Sequence, residues 1–100
     1  LVEKNPVTIQ NFALHQNYPN PFNPSTTIQY DLAESANVTL TIYNVSGQRI
    51  ETMVDEFQAS GSFQYAWNAE HLPAGQYMYQ LVVHNNSGYH VESKRMTLLK

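Results

Sequence analysis

The chain has 100 residues, a net charge of −3 and no cysteine. That length makes one domain able to bury its own core. It excludes a disulfide scaffold and a cysteine–zinc site, a basic nucleic-acid-binding face, and a membrane-spanning helix, since no apolar run approaches about 18 residues. Seven tyrosines against 13% charged residues suit a β domain rather than a helical one.

Residues 1–14 have two readings. Val7 and Ile9 share one parity and Phe12 and Leu14 the other, which a strand with a bulge near Asn11 would reconcile. The alternative is a linker from an upstream domain, with Phe12 and Leu14 forming a short first strand. The chain begins at Leu1 without a signal-peptide pattern, so it is expected to be a piece of a longer protein or a processed one, with its own domain spanning residues 15–100.

The next stretch, Asn17-Tyr18-Pro19-Asn20-Pro21-Phe22-Asn23-Pro24, cannot be helix or interior strand, because each proline fixes φ and removes a donor. Residues before proline are pushed to extended geometry. Asparagine side chains can cap nearby backbone groups in such a loop. Tyr18 and Phe22 are the expected anchors of the loop on the core.

From residue 26 onward the pattern is strand after strand. Residues 26–32 alternate, with Ile28, Tyr30 and Leu32 inward. A turn over residues 33–36 leads to residues 37–44, with Val38, Leu40 and Ile42 inward. Gly47 serves the next hairpin, where a positive φ costs it nothing. Residues 49–54 return with Ile50 and either Met53 or Val54 on the core side, and residues 55–60 read as a polar connection containing Phe57. Phe63, Tyr65 and Trp67 share one face. A loop closed by Leu72-Pro73-Ala74-Gly75 precedes residues 76–85, a strand apolar on both faces and therefore central, with Tyr77, Tyr79, Leu81 and Val83 on one side. Gly88 serves the last turn. In residues 89–100, Tyr89 and Val91 are odd while Met96 and Leu98 are even, which calls for a bulge near Ser93 to bury both sets. These short, regularly spaced strands predict an all-β, immunoglobulin-like antiparallel sandwich of about seven strands, with Trp67, Tyr77 and Tyr79 in its core.

The residues point to no catalytic set. Ser46-Gly47 and Ser60-Gly61 lack the flanking glycine of a nucleophile elbow. His84 and His90 could face each other across the last hairpin, but two histidines without a third ligand do not make a metal site. No cofactor, no metal and no nucleic-acid partner are expected.

The run from Gln16 through Ile28 resembles the opening signature of the type IX secretion system C-terminal sorting domains, a group closely related to the FlgD-like immunoglobulin-like domains. Further pieces are similar: Val38-Thr39-Leu40-Thr41-Ile42-Tyr43-Asn44, Gly47, Trp67, Ala74-Gly75-Gln76-Tyr77-Met78-Tyr79, and the basic-apolar terminus Lys94-Arg95-Met96-Thr97-Leu98-Leu99-Lys100. The resemblance implies a non-catalytic address at the end of an upstream cargo domain. Such an address folds in the periplasm and is read by an outer-membrane translocon and a shuttle protein. A sortase-like peptidase often removes it, leaving cargo at the cell surface or outside. Tyr18, Pro19, Asn20, Pro21 and Phe22, with Lys94, Arg95 and Lys100, are the expected recognition residues, and Gly47, Gly75 and Gly88 the structural turns. The basic residues could equally guard an exposed sheet edge.

Two other classes fit the same strands. A carbohydrate-binding sandwich would stack sugars on exposed rings, with Tyr43 and Tyr89 the outward candidates. A self-assembling module would donate residues 7–14 as a strand to the next copy.

Overall fold

The computed structural model of the chain describes residues 12–99. Among these residues seven strands run in chain order: β1 Ala13–Leu14, β2 Ser25–Leu32, β3 Ala36–Asn44, β4 Arg49–Gln58, β5 Gly61–Asn68, β6 Gly75–Asn85 and β7 Gly88–Leu98. They form two antiparallel sheets, β1-β2-β5 and β4-β3-β6-β7. The fold is the expected immunoglobulin-like sandwich, with β6 in the interior of the larger sheet.

The alternating strands bury the parity they predict. Ile28 and Tyr30 of β2, Leu40 and Ile42 of β3, and Tyr79 and Leu81 of β6 are all fully buried in one core cluster. Trp67 and Tyr77 close the core at one end, their rings edge to face with centroids 5.9 Å apart. Phe63 and Tyr65 are half-buried and stack on Tyr30 at 5.4 and 6.0 Å. Gly47 takes its turn with φ of +84°, a conformation that a side chain would resist.

Two expectations about strands are corrected. Residues 55–60 are not a loop, because β4 continues to Gln58 and pairs Asp55 with Thr39 and Gln58 with Ala36. The parity reading stopped at Val54 because β4 carries two bulges. The register passes from Leu40–Val54 to Thr41–Thr52, which leaves Met53 over, and from Ile42–Glu51 to Tyr43–Arg49, which leaves Ile50 over. Phe57 then faces outward and is 63% exposed, while polar Gln58 is buried. Gln58 is satisfied there: its Oε1 accepts the Tyr30 hydroxyl at 2.6 Å, and its Nε2 donates to the Tyr65 hydroxyl at 2.8 Å.

The second correction concerns β7, which has no bulge near Ser93. Its register with β6 runs unbroken from Gly75–Leu98 to Asn85–Gly88. Met96 and Leu98 are buried as expected, and Tyr89 and Val91 instead point outward. The same register places His84 opposite Tyr89 and His90 opposite Val83. Neighbouring positions of a strand face opposite sides, so the two histidines lie on different faces and do not meet. The bulge proposed near Asn11 lies outside the described residues.

Candidate recognition site

The proline–asparagine loop between β1 and β2 has no ladder of its own, so its backbone groups need other partners. They find them on three strands. The Tyr18 N–H and C=O pair with Thr27 at the start of β2, both at 3.0 Å. The Phe22 N–H donates to the Thr97 carbonyl at 3.0 Å, and the Leu99 N–H donates to the Phe22 carbonyl at 2.8 Å, a parallel bridge onto the end of β7. The Thr97 N–H donates to Asn20 Oδ1 at 3.0 Å. The loop therefore lies along the outer edge of the C-terminal end of β7 and closes that part of it.

The third attachment is to β6. The Tyr79 hydroxyl donates to the His15 carbonyl at 2.6 Å and accepts the Asn17 N–H at 2.7 Å. Burial pushes this hydroxyl's pKa up to about 12. The Asn17 side chain is itself buried; its Nδ2 donates to Thr26 Oγ1 at 2.9 Å and to the Pro19 carbonyl at 3.2 Å. Gln16 Nε2 donates to Asn17 Oδ1 at 2.7 Å and to the Arg95 carbonyl at 2.8 Å. This network is buried at Asn17 and reaches the surface at Gln16, and it joins the loop, the centre of β6 and the end of β7 into one clasp.

The expected recognition residues divide sharply. Phe22 is 1% exposed and anchors the loop as expected, tilted against the Trp67 ring at 5.9 Å. Tyr18 is not an anchor: it is 78% exposed. The second anchor is Asn17, a polar residue whose side-chain amide is used by Gln16, Pro19 and Thr26 and whose N–H is held by Tyr79. Pro19, Asn20 and Pro21 are exposed beside Tyr18. Lys94 lies half-buried with its Nζ 3.8 Å from Glu92, and Arg95 is exposed on the opposite face of β7. Arg95 lines a shallow open cleft of about 440 Å³ with Asn44, Val45, Gln76 and Met78. Lys100 lies outside the described residues.

Sequence reasoning missed Asn17 and Tyr79 as a pair. The available signal was the loop's lack of ladder partners, which requires buried polar side chains close by. It also missed the row His90, Glu92 and Lys94 on one face of β7. There Glu92 Oε1 lies 3.1 Å from His90 Nε2 and accepts the Leu14 N–H at 3.3 Å, which fixes β1 over the terminal strand. A smaller polar tie joins β1 to β2. His15 Nε2 sits 2.8 Å from Asp31, and this hydrogen bond, with a second from Ser62, holds the Asp31 carboxyl below its ordinary range. Among the described residues no group of three or more His, Cys, Asp or Glu is placed to hold a metal ion.

Fold and loop together define an immunoglobulin-like module in which a rigid N-terminal loop is welded to the C-terminal strand. The chain belongs to the secretion system C-terminal sorting domain family, whose model matches residues 16–96. Among solved structures it is similar to dimeric latent PorU from Porphyromonas gingivalis, with a TM-score of 0.67 at 20% identity, covering 86% of this chain and 9% of that one. It is also similar to PorZ, a surface component of the type-IX secretion system of the same organism, with a TM-score of 0.56 at 18% identity, covering 87% of this chain and 11% of that one. At these identities the likeness is one of fold, and the chain spans about a tenth of each protein's length. No curated protein matches the chain.

Proposed function

We propose that residues 15–100 are a non-catalytic address that directs an upstream cargo across the outer membrane, with residues 1–14 connecting the two. The domain folds in the periplasm, is read there by the translocon and shuttle of a type IX system, and leaves its cargo at the surface or outside. A sortase-like peptidase acts in the connecting segment. Family membership over residues 16–96 carries this reading.

The clasp supports it physically. A receptor that accepts many cargoes needs a feature independent of the cargo, and here the signature loop and the terminal strand form a single rigid unit. Exposed Tyr18, Pro19, Asn20 and Pro21 offer contacts on the loop, and Arg95 offers a cation on the exposed face of β7. Phe22 contributes through the shape it gives the loop. Of the two rings the sugar-binding alternative relies on, Tyr89 is exposed and Tyr43 half-buried, while Trp67 lies in the core as expected, its Nε1 donating to Glu51 at 3.0 Å.

The experiment is a fusion of the whole chain behind a periplasmic reporter in a type IX-competent host. The address function predicts reporter outside the cell. A folded fusion retained in the periplasm overturns it. Deleting residues 94–100 is a poor probe of recognition, since it removes buried Met96 and Leu98. Arg95→Ala and Tyr18→Ala are better, because both side chains are exposed.

A further inference from the structure

The clasp covers only half of the β7 edge. The Thr97 carbonyl and the Leu99 N–H point away from β6, toward Phe22, and the Arg95 carbonyl points toward Gln16. Main-chain groups alternate sides along an antiparallel strand, so those of Ser93, Val91 and Tyr89 point the same way. Among the described residues they have no partner there. Among the described residues this leaves a short open window between the Arg95 carbonyl and the last turn. The opposite edge of the same sheet is different: β4 is broken by two bulges and carries Glu51, Asp55 and Glu56. Bulges and charges of that kind blunt an edge. The β7 window has an unbroken register, and its outward side chains include Tyr89 at 67% exposure and Val91 at 46%.

We propose that this window pairs with the same window of a second copy, as an antiparallel strand pair with its two-fold axis at Val91. The sequence of the window is what selects a second copy. Centred on Val91, the pairing sets His90 of each chain opposite Glu92 of the other, and Tyr89 opposite Ser93. The imidazole–carboxylate contact already present within one chain, at 3.1 Å, is then repeated across the dyad, and polar cross-strand pairs that hydrogen-bond in this way are favourable. Val91 meets Val91, and each Tyr89 ring extends the apolar row formed by Val91 and its β6 neighbour Val82. The centre of this imidazole–carboxylate complementarity coincides with the centre of the window. A one-residue slip would lose both and turn the apolar face over. Closed two-fold pairing also consumes both open edges, so the assembly stops at two. This inference is independent of the sorting role.

The test uses the 100-residue chain, which has no cysteine of its own. In Val91→Cys the two new thiols lie directly opposite across the dyad, within the Cα separation of about 4.4–6.8 Å that a disulfide accepts. In Ser93→Cys each thiol faces Tyr89 of the other copy, so self-linking is not possible in this register. Mild oxidation is expected to give a covalent dimer of the first variant and not of the second. Sedimentation is expected to show the wild-type chain dimerising with rising concentration. Val91→Pro should weaken that association by roughly a hundredfold, through loss of the two central main-chain bonds. The Val91 N–H points off the edge, so proline breaks no bond within the sheet, and an unchanged melting temperature verifies the fold. Should that variant not fold, the cysteine pair decides. A wild-type chain that stays monomeric, equal linking of both cysteine variants, or a folded Val91→Pro variant that still dimerises overturns the proposal.

Discussion

The Tyr79 hydroxyl sits between two main-chain groups of the segment that opens the domain, taking the Asn17 N–H at 2.7 Å and giving its own proton to the His15 carbonyl at 2.6 Å. One side chain at the centre of β6 thus fixes the path of a loop more than sixty residues away in sequence. Tyr79→Phe keeps the ring and strands both main-chain groups. A buried group left unsatisfied costs about 1–3 kcal/mol, and in a domain of this size each kcal/mol lowers the melting temperature by roughly 4–8 °C. Thermal unfolding followed by circular dichroism measures the drop.

Asn17→Ala tests the same clasp from the loop side. It removes the donor shared by Thr26 Oγ1 and the Pro19 carbonyl, and the acceptor used by Gln16. The expected cost is again about 1–3 kcal/mol. Tyr18→Ala, at an exposed position, should change stability by no more than about 0.5 kcal/mol. Urea melts of the two variants check this order, which is the opposite of the expectation that the aromatic ring is the anchor.

Alkaline pH should loosen the clasp. Burial holds the Tyr79 pKa at about 12, above the ordinary value near 10. The folded state therefore keeps its proton where the unfolded state has begun to lose it. This contribution to stability is complete below pH of about 10 and is lost as pH rises toward about 12. Tyr30 acts in the same direction, its hydroxyl raised mainly by burial. Denaturant midpoints measured from pH 8 upward should be level and then fall, with a shallower fall in Tyr79→Phe.

Phe22 joins the loop to the core and to the terminal strand at once. Phe22→Ala empties a buried site against Trp67 and should cost about 3–5 kcal/mol, as should Trp67→Ala. In milder form, Phe22→Leu should raise amide exchange at Leu99, whose N–H is held by the Phe22 carbonyl, while leaving Leu40 and Leu81 protected.

The sequence is legible where one parity is buried from end to end. β2, β3 and β6 read correctly because Ile28, Tyr30, Val38, Leu40, Tyr79 and Leu81 keep strict alternation. β4 does not, because the bulges at Ile50 and Met53 shift its phase twice. β7 misleads in the opposite way. Its change of parity looks like a bulge but marks real exposure of Tyr89 and Val91, at the end of the strand that the clasp leaves open. The signature loop was recognisable by its composition, yet its mechanics were not. Hydrophobicity nominates Tyr18, whereas the loop is held by Asn17, through partners that sit far away on β6 and at the start of β2.

The central claim is that this domain is an address, and export of a folded reporter tests it most directly. The reporter fused ahead of the chain should appear outside the cell in a type IX-competent host and remain inside an otherwise identical host lacking the translocon. Folded reporter retained in both hosts, or released equally from both, would contradict the account.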